Sequence, residues 1–282
     1  MDQQCKARLF RNYHRRGCPL VLVNVWDAGT AKAAEECGAV AVATSSWAVA
    51  AASGFSDGER ISLQWLLENA QRIVNATELP VSVDLESGYG LSPFEVAETV
   101  AAAIRVGAVG CNIEDRFPET GLLRPPVLQM ERLKAARAAA DRLCDGFFIN
   151  ARTDVFLASS ASAHNMSLAD VALERALAYH DAGADGIFVP GVSDPAIVAR
   201  ICKLCPLPIN IMIDDHTPSL DQLRAAGVAR VSYGAAPYNA AINAFRALAI
   251  GAISETASRV QTPTPSADRP ASVLVTSRWV SD

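Results

Sequence analysis

Short apolar segments alternate with longer helical patterns along the chain, from about residue 20 to about residue 250. The short segments are rich in valine and isoleucine and almost free of polar residues, which is typical of parallel strands that are covered on both faces. The pattern predicts eight strands, at residues 20–23, 39–43, 81–84, 110–113, 147–150, 186–189, 209–212 and 230–233.

The segments between these strands carry apolar residues at helical spacing. They predict helices at residues 28–37, 63–75, 93–106, 129–143, 168–181 and 219–226. A glycine stands just before four of the strands, where a left-handed backbone conformation can end the preceding helix. These glycines are Gly38, Gly107, Gly183 and Gly227.

Eight β–α units in succession predict parallel strands joined by right-handed crossovers. The predicted fold class is therefore α/β, a single (β/α)₈ barrel of the TIM type with a C-terminal helical extension. An open doubly wound sheet is the alternative, but the turn after the first strand reads NVWDAGTA rather than G-x-G-x-x-G. We expect residues 1–255 to form the barrel with its terminal helices. Residues 256–282, rich in Pro, Ser and Thr, are expected to form a linker or a surface-wrapping tail.

Composition narrows the function classes. The 282 residues are 50% hydrophobic with a net charge of −5, and no basic stretch extends beyond Arg15-Arg16, so a nucleic-acid partner is not expected. No apolar run reaches the ~18 residues of a membrane span, which predicts a cytoplasmic protein without a membrane partner. The 7 cysteines are scattered, so no disulfide framework is expected, and the Cys202-x-x-Cys205 pair is interpreted as two ordinary thiols.

Polar residues cluster at the predicted carboxyl ends of the strands, where (β/α)₈ enzymes hold their active sites. They are Asn24, Asp27, Thr44, Ser45, Ser46, Asp84, Glu86, Glu114, Asp115, Asn150, Arg152, Asn210 and Tyr233. Acids gathered at one mouth repel one another unless a cation lies among them. Oxygen ligands of this kind favour Mg²⁺ or Mn²⁺ over zinc. Ordinary solvated loop acids that cap the following helices are an equal alternative.

Arg152 is the candidate residue for binding a carboxylate. It follows the fifth predicted strand, on the face that points into the barrel mouth. Its planar guanidinium can hold a carboxylate with two hydrogen bonds, and Ser45 and Ser46 could donate to the same group. A structural ion pair of Arg152 with Asp154 or Glu114 is the alternative.

Five motifs occur in order along the chain, and they are TSSWAVAAASGFSDGE, DLESGYG, CNIEDR, INARTDVF and ADGIFVPG. Together they resemble the isocitrate lyase/phosphoenolpyruvate mutase superfamily over roughly residues 18–250. The resemblance implies a (β/α)₈ enzyme that uses Mg²⁺, with Mn²⁺ as a possible substitute, and that stabilises an enolate of the pyruvate type. It also implies a homotetramer in which a C-terminal helix is exchanged between subunits.

The resemblance implies roles for individual residues. Metal ligation, directly or through water, is assigned to Asp84, Glu86 and Glu114. Substrate binding is assigned to Ser45, Ser46, Trp47, Arg152 and Asn210. Catalytic roles are assigned to Arg152, Glu114 and Asp57. Glu86 departs from the family pattern D-x-D-x-G-Y-G, which has an Asp at this position, and the longer side chain is expected to hold a metal-bound water.

The segment after the fourth strand departs further from the superfamily. Residues 116–126 read RFPETGLLRPP, without the Cys and His of the lyases or the Lys and Asn of the phosphonate mutases. A standard isocitrate or methylisocitrate lyase is therefore not expected, and mutase activity is doubtful. The segment is longer than common βα loops, which predicts a lid over the mouth, with a plain surface excursion as the alternative.

The predicted function is that of a Mg²⁺-dependent lyase acting on a small 2-oxo or 2-hydroxy carboxylate or dicarboxylate. It would cleave a carbon–carbon bond or decarboxylate its substrate through the pyruvate-type enolate. One alternative is a mutase or hydrolase of the phosphorus–carbon bond in phosphonopyruvate or phosphoenolpyruvate. Another is a non-catalytic barrel that binds a small carboxylate.

Overall fold

The computed structural model describes the backbone of residues 1–260 and the side chains of residues 1–254. Its strands are β1 (Leu20–Leu22), β2 (Asn24–Val25), β3 (Val42–Thr44), β4 (Val81–Asp84), β5 (Gly110–Glu114), β6 (Phe148–Arg152), β7 (Gly186–Val189), β8 (Ile209–Met212) and β9 (Arg230–Ser232). All of them are parallel to their neighbours, in the order β1-β9-β8-β7-β6-β5-β4-β3-β2.

The ring of strands closes through the chain itself. Strand β1 pairs with β9 and strand β2 pairs with β3, and Val23 alone separates β1 from β2. These two short strands therefore act as one broken strand, which corresponds to the first predicted strand. The predicted TIM-type barrel is confirmed, and the ninth strand arises because its first strand is interrupted.

The helices alternate with the strands as the periodicity predicts. They are α1 (Gln3–Tyr13), α2 (Ala28–Glu36), α3 (Ser46–Ala52), α4 (Leu63–Ala76), α5 (Pro93–Arg105), α6 (Pro126–Leu143), α7 (Met166–Asp181), α8 (Pro195–Leu204), α9 (Leu220–Ala226) and α10 (Ala236–Val260). A short 3-10 helix covers Ala161–Ala163. The sequence pattern missed α1, α3 and α8, although Asp194 and Pro195 form a recognisable start for α8.

The glycines that precede four strands have the predicted left-handed backbone. The φ angles of Gly38, Gly107, Gly183 and Gly227 are 87°, 100°, 91° and 90°. A side chain at Gly107 would also bring a Cβ atom to 2.7 Å from the side chain of Val74. Each of these turns ends a helix and directs the chain into the next strand.

Helix α1 packs against the amino-terminal part of strand β6. The ring of Phe10 lies edge-on to Phe148 at 5.8 Å, and the ring of His14 stacks on Phe148 at 3.9 Å between centroids. A Cβ atom at Gly110 would lie 3.0 Å from the Phe10 ring, so the strand needs glycine at this contact. Burial lowers the pKa of His14 to about 3, so the imidazole is neutral at physiological pH.

Residues 1–240 form a compact unit that contains the whole barrel, and the rest of helix α10 belongs to a second unit. Helix α10 runs to Val260, so the first residues of the predicted tail are helical. The remainder of that tail, residues 261–282, lies outside the described residues. Within residues 1–260, none of the helices combines the length and the hydropathy that a membrane span requires.

Candidate active site

The carboxyl ends of the strands surround a cavity of about 450 Å³. Strands β3–β6 and the loops after β3 and β4 form one side, called here the proximal half, which contributes Ser45, Ser46, Trp47, Asp57, Asp84, Asn112 and Arg152. Strands β7–β9 and the adjoining loops form the other side, called the distal half, which contributes Leu157, Phe188, Met212, Ile213, Asp214, Asp215, Ser232 and Tyr233.

Asp84 ends strand β4 in the proximal half, with 7% of its surface exposed. Its backbone N–H donates to the Thr44 hydroxyl at 2.8 Å, and its carboxylate accepts from the backbone N–H of Ser46 at 3.3 Å. Ser46 is the first residue of helix α3, so the positive end of the helix faces this carboxylate. These contacts hold Asp84 in a fixed orientation at the edge of the cavity.

Asp57 lines the same half of the cavity. Burial raises the pKa of its carboxyl group, and the nearby charge of Asp84 raises it further. The two carboxylates therefore share a volume in which negative charge is not fully compensated. This is the arrangement that a bound cation would stabilise.

Glu86 turns away from the cavity. Its φ angle of 50° puts the backbone in the left-handed region, and its carboxylate accepts hydrogen bonds from the N–H groups of Gly58, at 2.9 Å, and Glu59. The Tyr89 hydroxyl donates to the other oxygen at 3.0 Å. Burial, reinforced by the charge of Asp57, raises the pKa of Glu86 to about 7. Glu86 thus ties the loop that carries Asp57 to strand β4.

Arg152 ends strand β6 and is held by two acids. Asp154 accepts from Nε at 2.6 Å and from Nη2 at 2.9 Å, and Glu114 contacts Nη1 at 3.0 Å. Burial alone would lower the pKa of Arg152, but the carboxylates of Glu114 and Asp154 raise it. One N–H on each terminal nitrogen stays available to a ligand, because a guanidinium has five N–H groups and these contacts use three.

The remaining predicted substrate-binding residues differ in position. Ser45 and Ser46 lie at the start of helix α3, where the Ser45 hydroxyl accepts from Ala48 N–H at 3.4 Å. Trp47 is 41% exposed and lies on the rim of the cavity. Asn210 is buried, and its side-chain oxygen accepts from the Ser232 hydroxyl at 3.1 Å. Ser232 lines the cavity while Asn210 lies behind it, so the contact of Asn210 with the cavity is indirect.

The segment after strand β5 has internal order. Arg116 and Leu123 form an antiparallel bridge, and Phe117 N–H donates to Leu122 O at 2.9 Å. The Arg124 guanidinium lies 4.3 Å from the centre of the Phe117 ring. The segment is therefore a folded turn rather than an extended excursion.

Buried groups anchor this turn to the barrel. Asp115 is fully buried and accepts from Arg175 at 3.0 Å and from the Tyr179 hydroxyl at 2.7 Å. Arg175 also donates to the Arg124 carbonyl at 2.9 Å. Arg116 Nη1 lies 3.6 Å from the buried Asp154, which connects the turn to the carboxylate that orients Arg152.

The geometry can be compared with known proteins. The sequence profile of the phosphoenolpyruvate phosphomutase family matches residues 10–252, which is most of the chain. The chain belongs to this family. The resemblance of its motifs to the isocitrate lyase/phosphoenolpyruvate mutase superfamily is thereby confirmed.

Individual relatives of this family member cover most of its length. A provisionally assigned phosphonomutase from Burkholderia cenocepacia J2315 has a crystal structure with 50% identity and a TM-score of 0.87, over 89% of this chain and 99% of that one. The 2-methylisocitrate lyase of Escherichia coli K12 is 33% identical over 88% of this chain and 82% of the relative. The oxaloacetate decarboxylase of Pseudomonas aeruginosa LESB58 is 33% identical over 74% of this chain and 70% of the relative. The predicted enzyme class, a lyase of this superfamily, is confirmed at the level of the family.

The donor set of this family member fits a metal held largely through water. Within the described residues, no three His, Cys, Asp or Glu side chains converge as a ready-made metal site. Glu86 bonds to the Asp57 loop and Glu114 pairs with Arg152, so Asp84 is the predicted ligand that faces the cavity. Mg²⁺ commonly takes only one or two protein carboxylates and keeps several waters.

Several cavity residues were not predicted as site residues. They are Asn112, Leu157, Phe188, Met212, Ile213, Asp214, Asp215 and Ser232. Strand periodicity could have indicated Asn112, which lies two residues before Glu114 and therefore on the same face of β5. The apolar members carry no signal in the sequence, because Phe188 and Met212 look like ordinary strand residues until the barrel closes.

Proposed function

We propose that this protein is a Mg²⁺-dependent lyase that acts on a small 2-oxo or 2-hydroxy carboxylate. Cleavage of the C3–C4 bond of a 2-oxo acid would leave the bonding electron pair on the pyruvate part as an enolate, while C4 departs as carbon dioxide or within a carbonyl compound. Cleavage of a 2-hydroxy acid would instead convert the deprotonated 2-hydroxyl into a carbonyl and leave the electron pair on the other fragment, which is then protonated. The observation that carries the proposal is that Arg152 and Asp84 line one cavity, with free N–H groups remaining on Arg152.

Asp84 is the proposed direct metal ligand. Its buried carboxylate faces the cavity beside Asp57, whose raised pKa reflects burial and the charge of Asp84. A divalent cation would offset this concentration of negative charge. When bound there, Mg²⁺ would supply Lewis-acid polarisation of the substrate carbonyl.

Arg152 is the proposed partner of the substrate carboxylate. Asp154 and Glu114 fix the plane of its guanidinium, so little side-chain entropy is lost when a ligand binds. Ser46, on helix α3, lines the same cavity and is the second proposed donor to this carboxylate. Such fixed donors stabilise charge that develops during bond cleavage.

Asp57 is the proposed proton carrier. Glu114 is already paired with Arg152, whereas Asp57 faces the cavity with a pKa raised by burial and by Asp84. A carboxyl group whose pKa is raised can accept a proton and return it during the reaction. Asp57 would take the hydroxyl proton of a 2-hydroxy substrate, or protonate the carbon left by cleavage of a 2-oxo acid.

Phosphonopyruvate chemistry is the second candidate, and the provisional name of the 50% identical Burkholderia protein supports it. Phosphoryl transfer calls for cations around the transferred group. Arg152 is the one cation among the described residues that line the cavity. Arg116 and Arg124 are engaged within their own turn, by Gly121 O at 3.0 Å and by the Phe117 ring. We therefore rank carbon–carbon cleavage first.

A homotetramer with exchanged C-terminal helices is proposed for the assembly. An apolar groove of about 770 Å³ runs beside strands β1 and β2 and helix α2, and Val21, Val23 and Val40 line it while 37–47% exposed. The outer face of barrel strands is normally covered by helices. Helix α10 in turn exposes Phe245 and Leu248, which suits it to cover the same groove on a neighbouring copy.

Pyruvate release is the direct test of the proposed function. The full-length protein is assayed with 2-oxo acids, 2-hydroxy acids and phosphonopyruvate, with Mg²⁺ and with chelator. We expect Mg²⁺-dependent carbon–carbon cleavage of one carboxylate. Release of inorganic phosphate from phosphonopyruvate alone would select the second candidate. Ligand binding without any turnover across the panel would favour a non-catalytic barrel.

A further inference from the structure

The distal half of the cavity differs in chemistry from the proximal half. Five residues there form what we call the distal wall, namely Leu157, Phe188, Met212, Ile213 and Tyr233. Phe188 is the penultimate residue of β7 and Met212 the last residue of β8, and both line the cavity on the inner face of the barrel. Leu157 joins them because it packs over the loop after β7, where a Cβ atom on Gly191 would lie 2.8 Å from it.

Negatively charged residues outnumber positively charged ones around the cavity. The described lining residues include one cation, Arg152, and four acids, Asp57, Asp84, Asp214 and Asp215. The last two stand exposed on the rim of the distal half. The substrate carboxylate would pair with Arg152, the one positive charge of the described lining, and a divalent cation would pair with Asp84. A second anion on the substrate would meet the distal wall and the two rim acids.

We propose that the substrate carries its carboxylate as the single anionic group and presents an uncharged, largely apolar end to the distal wall. This inference rests on the proposed function, and it specifies the substrate class. An anion moved out of water without a partner loses its hydration with no compensation. An apolar group that covers Phe188 and Met212 instead gains about 25 cal/mol per Å² of buried apolar surface.

The size of the cavity agrees with a substrate larger than pyruvate. Its volume of about 450 Å³ lies in the range of pockets that enclose substantial organic ligands. Phe188 lies against Arg152, with 5.8 Å between its ring centre and the guanidinium carbon, and a ligand as small as pyruvate would not fill the rest of the cavity. The space beyond C3 of a 2-oxo acid is therefore the space for the apolar end.

A matched pair of ligands tests the inference. 2-Oxoglutarate and 5-methyl-2-oxohexanoate have the same number and connectivity of non-hydrogen atoms, and they differ in a terminal carboxylate against a terminal isopropyl group. Dissociation constants are measured by calorimetry on the full-length protein, with Mg²⁺ and with chelator. We expect the isopropyl compound to bind about tenfold tighter, since the terminal charge has no partner. Equal or tighter binding of 2-oxoglutarate would overturn the inference.

A variant that adds one cation to the distal wall sharpens the test. Leu157 is 40% exposed, so Leu157→Lys can be accommodated with its charge at the cavity edge, and Leu157→Met is the matched control without charge. The lysine should shift the ratio of the two constants toward 2-oxoglutarate by about tenfold, as expected for opposite charges a few ångströms apart near a protein surface. The methionine variant should leave the ratio within about twofold of the parent.

A second pair of variants, at Ile213, replaces the first pair if the Leu157 variant misfolds. If Leu157→Lys loses its native circular dichroism, Ile213→Lys and Ile213→Met repeat the comparison from the residue after strand β8. An unchanged ratio in a folded lysine variant would overturn the inference. If 2-oxoglutarate binds more tightly and its binding depends on Mg²⁺, the inference of an apolar substrate is wrong. The proposed function is then still supported. If neither of the two ligands nor pyruvate binds, the inference and the proposed function are both overturned.

Discussion

The two halves of the barrel mouth are built from the same β–α unit but carry different side chains. The proximal half places Asp57, Asp84 and Arg152 at the cavity, each held by backbone or side-chain partners. The distal half places Phe188 and Met212 near the carboxyl ends of β7 and β8. The proximal half is suited to bind a cation and a carboxylate and to stabilise charge that develops during a reaction. The distal half is suited to exclude water and to select ligands by shape.

This difference separates chemistry from selectivity within one cavity. Substitutions in the proximal half should lower kcat, because they remove charge stabilisation in the transition state. Substitutions in the distal half should change KM, because they remove contacts made equally in the ground state and the transition state. Each variant is assayed with the substrate that the pyruvate-release assay identifies.

The largest effect is expected at Asp84. Asp84→Asn should abolish Mg²⁺-dependent turnover, because it removes the carboxylate proposed to ligate the metal. The fold should persist, since the asparagine keeps the size of the side chain and the carbonyl oxygen that can accept from Ser46 N–H. The measurements are turnover against Mg²⁺ concentration and thermal unfolding.

Asp214→Asn is the control for Asp84, because it neutralises an acid of the distal half of the same cavity. It should keep turnover within about threefold of the parent, as expected for an exposed carboxylate without a partner cation. Equal losses in the two variants would break the distinction between the halves.

The second effect concerns Arg152. Arg152→Lys should lower kcat/KM by about 100- to 1000-fold, because a lysine cannot keep contacts to Asp154 and Glu114 while donating to a substrate carboxylate. Arg200→Lys on helix α8, where the arginine pairs with exposed Asp170, is the matched control and should be silent. Full activity in Arg152→Lys would contradict the assigned role.

The third effect concerns Phe188. Phe188→Leu should raise KM about tenfold, because it removes apolar contact area, and it should lower kcat far less than Arg152→Lys, although its ring lies 5.8 Å from the Arg152 guanidinium. Steady-state kinetics with the identified substrate provide the measurement. A fall in kcat with an unchanged KM would assign the distal half to chemistry rather than to selectivity.

The smallest effect concerns the turn after strand β5. Glu119→Ala should change turnover by less than about threefold, because the turn is held by Arg116, Phe117 and Arg124 and because Glu119 is not among the residues that line the cavity. Deleting residues 118–123 should cost more, since the turn contacts Asp154 through Arg116. If Glu119→Ala were as inactive as Arg152→Ala, the turn would supply the catalytic acid and Asp57 would lose that role.

The barrel was accessible from local information in the sequence. Apolar segments with strand periodicity, helical spacing between them and glycines such as Gly107 and Gly227 each report on a few consecutive residues, and all of them agree. The motifs around Asp84 and Arg152 were accessible for the same reason, because strand-end position follows from strand order. The division of the first strand at Val23 was not, since it depends on pairing with β9 and β3.

The sequence by itself determined which polar residues stand near the carboxyl ends of the strands, and the tertiary structure decided which of them face the cavity and what surrounds them. Glu86 follows Asp84 by two residues, yet the left-handed backbone at Glu86 turns its carboxylate onto the Asp57 loop. Asn210 lies behind Ser232 because it pairs with Arg230, two residues before the level at which Met212 pairs with Ser232. The distal wall exists only after closure, because residues such as Phe188 and Met212, apolar and far apart in the chain, become one surface when strands β7 and β8 pair.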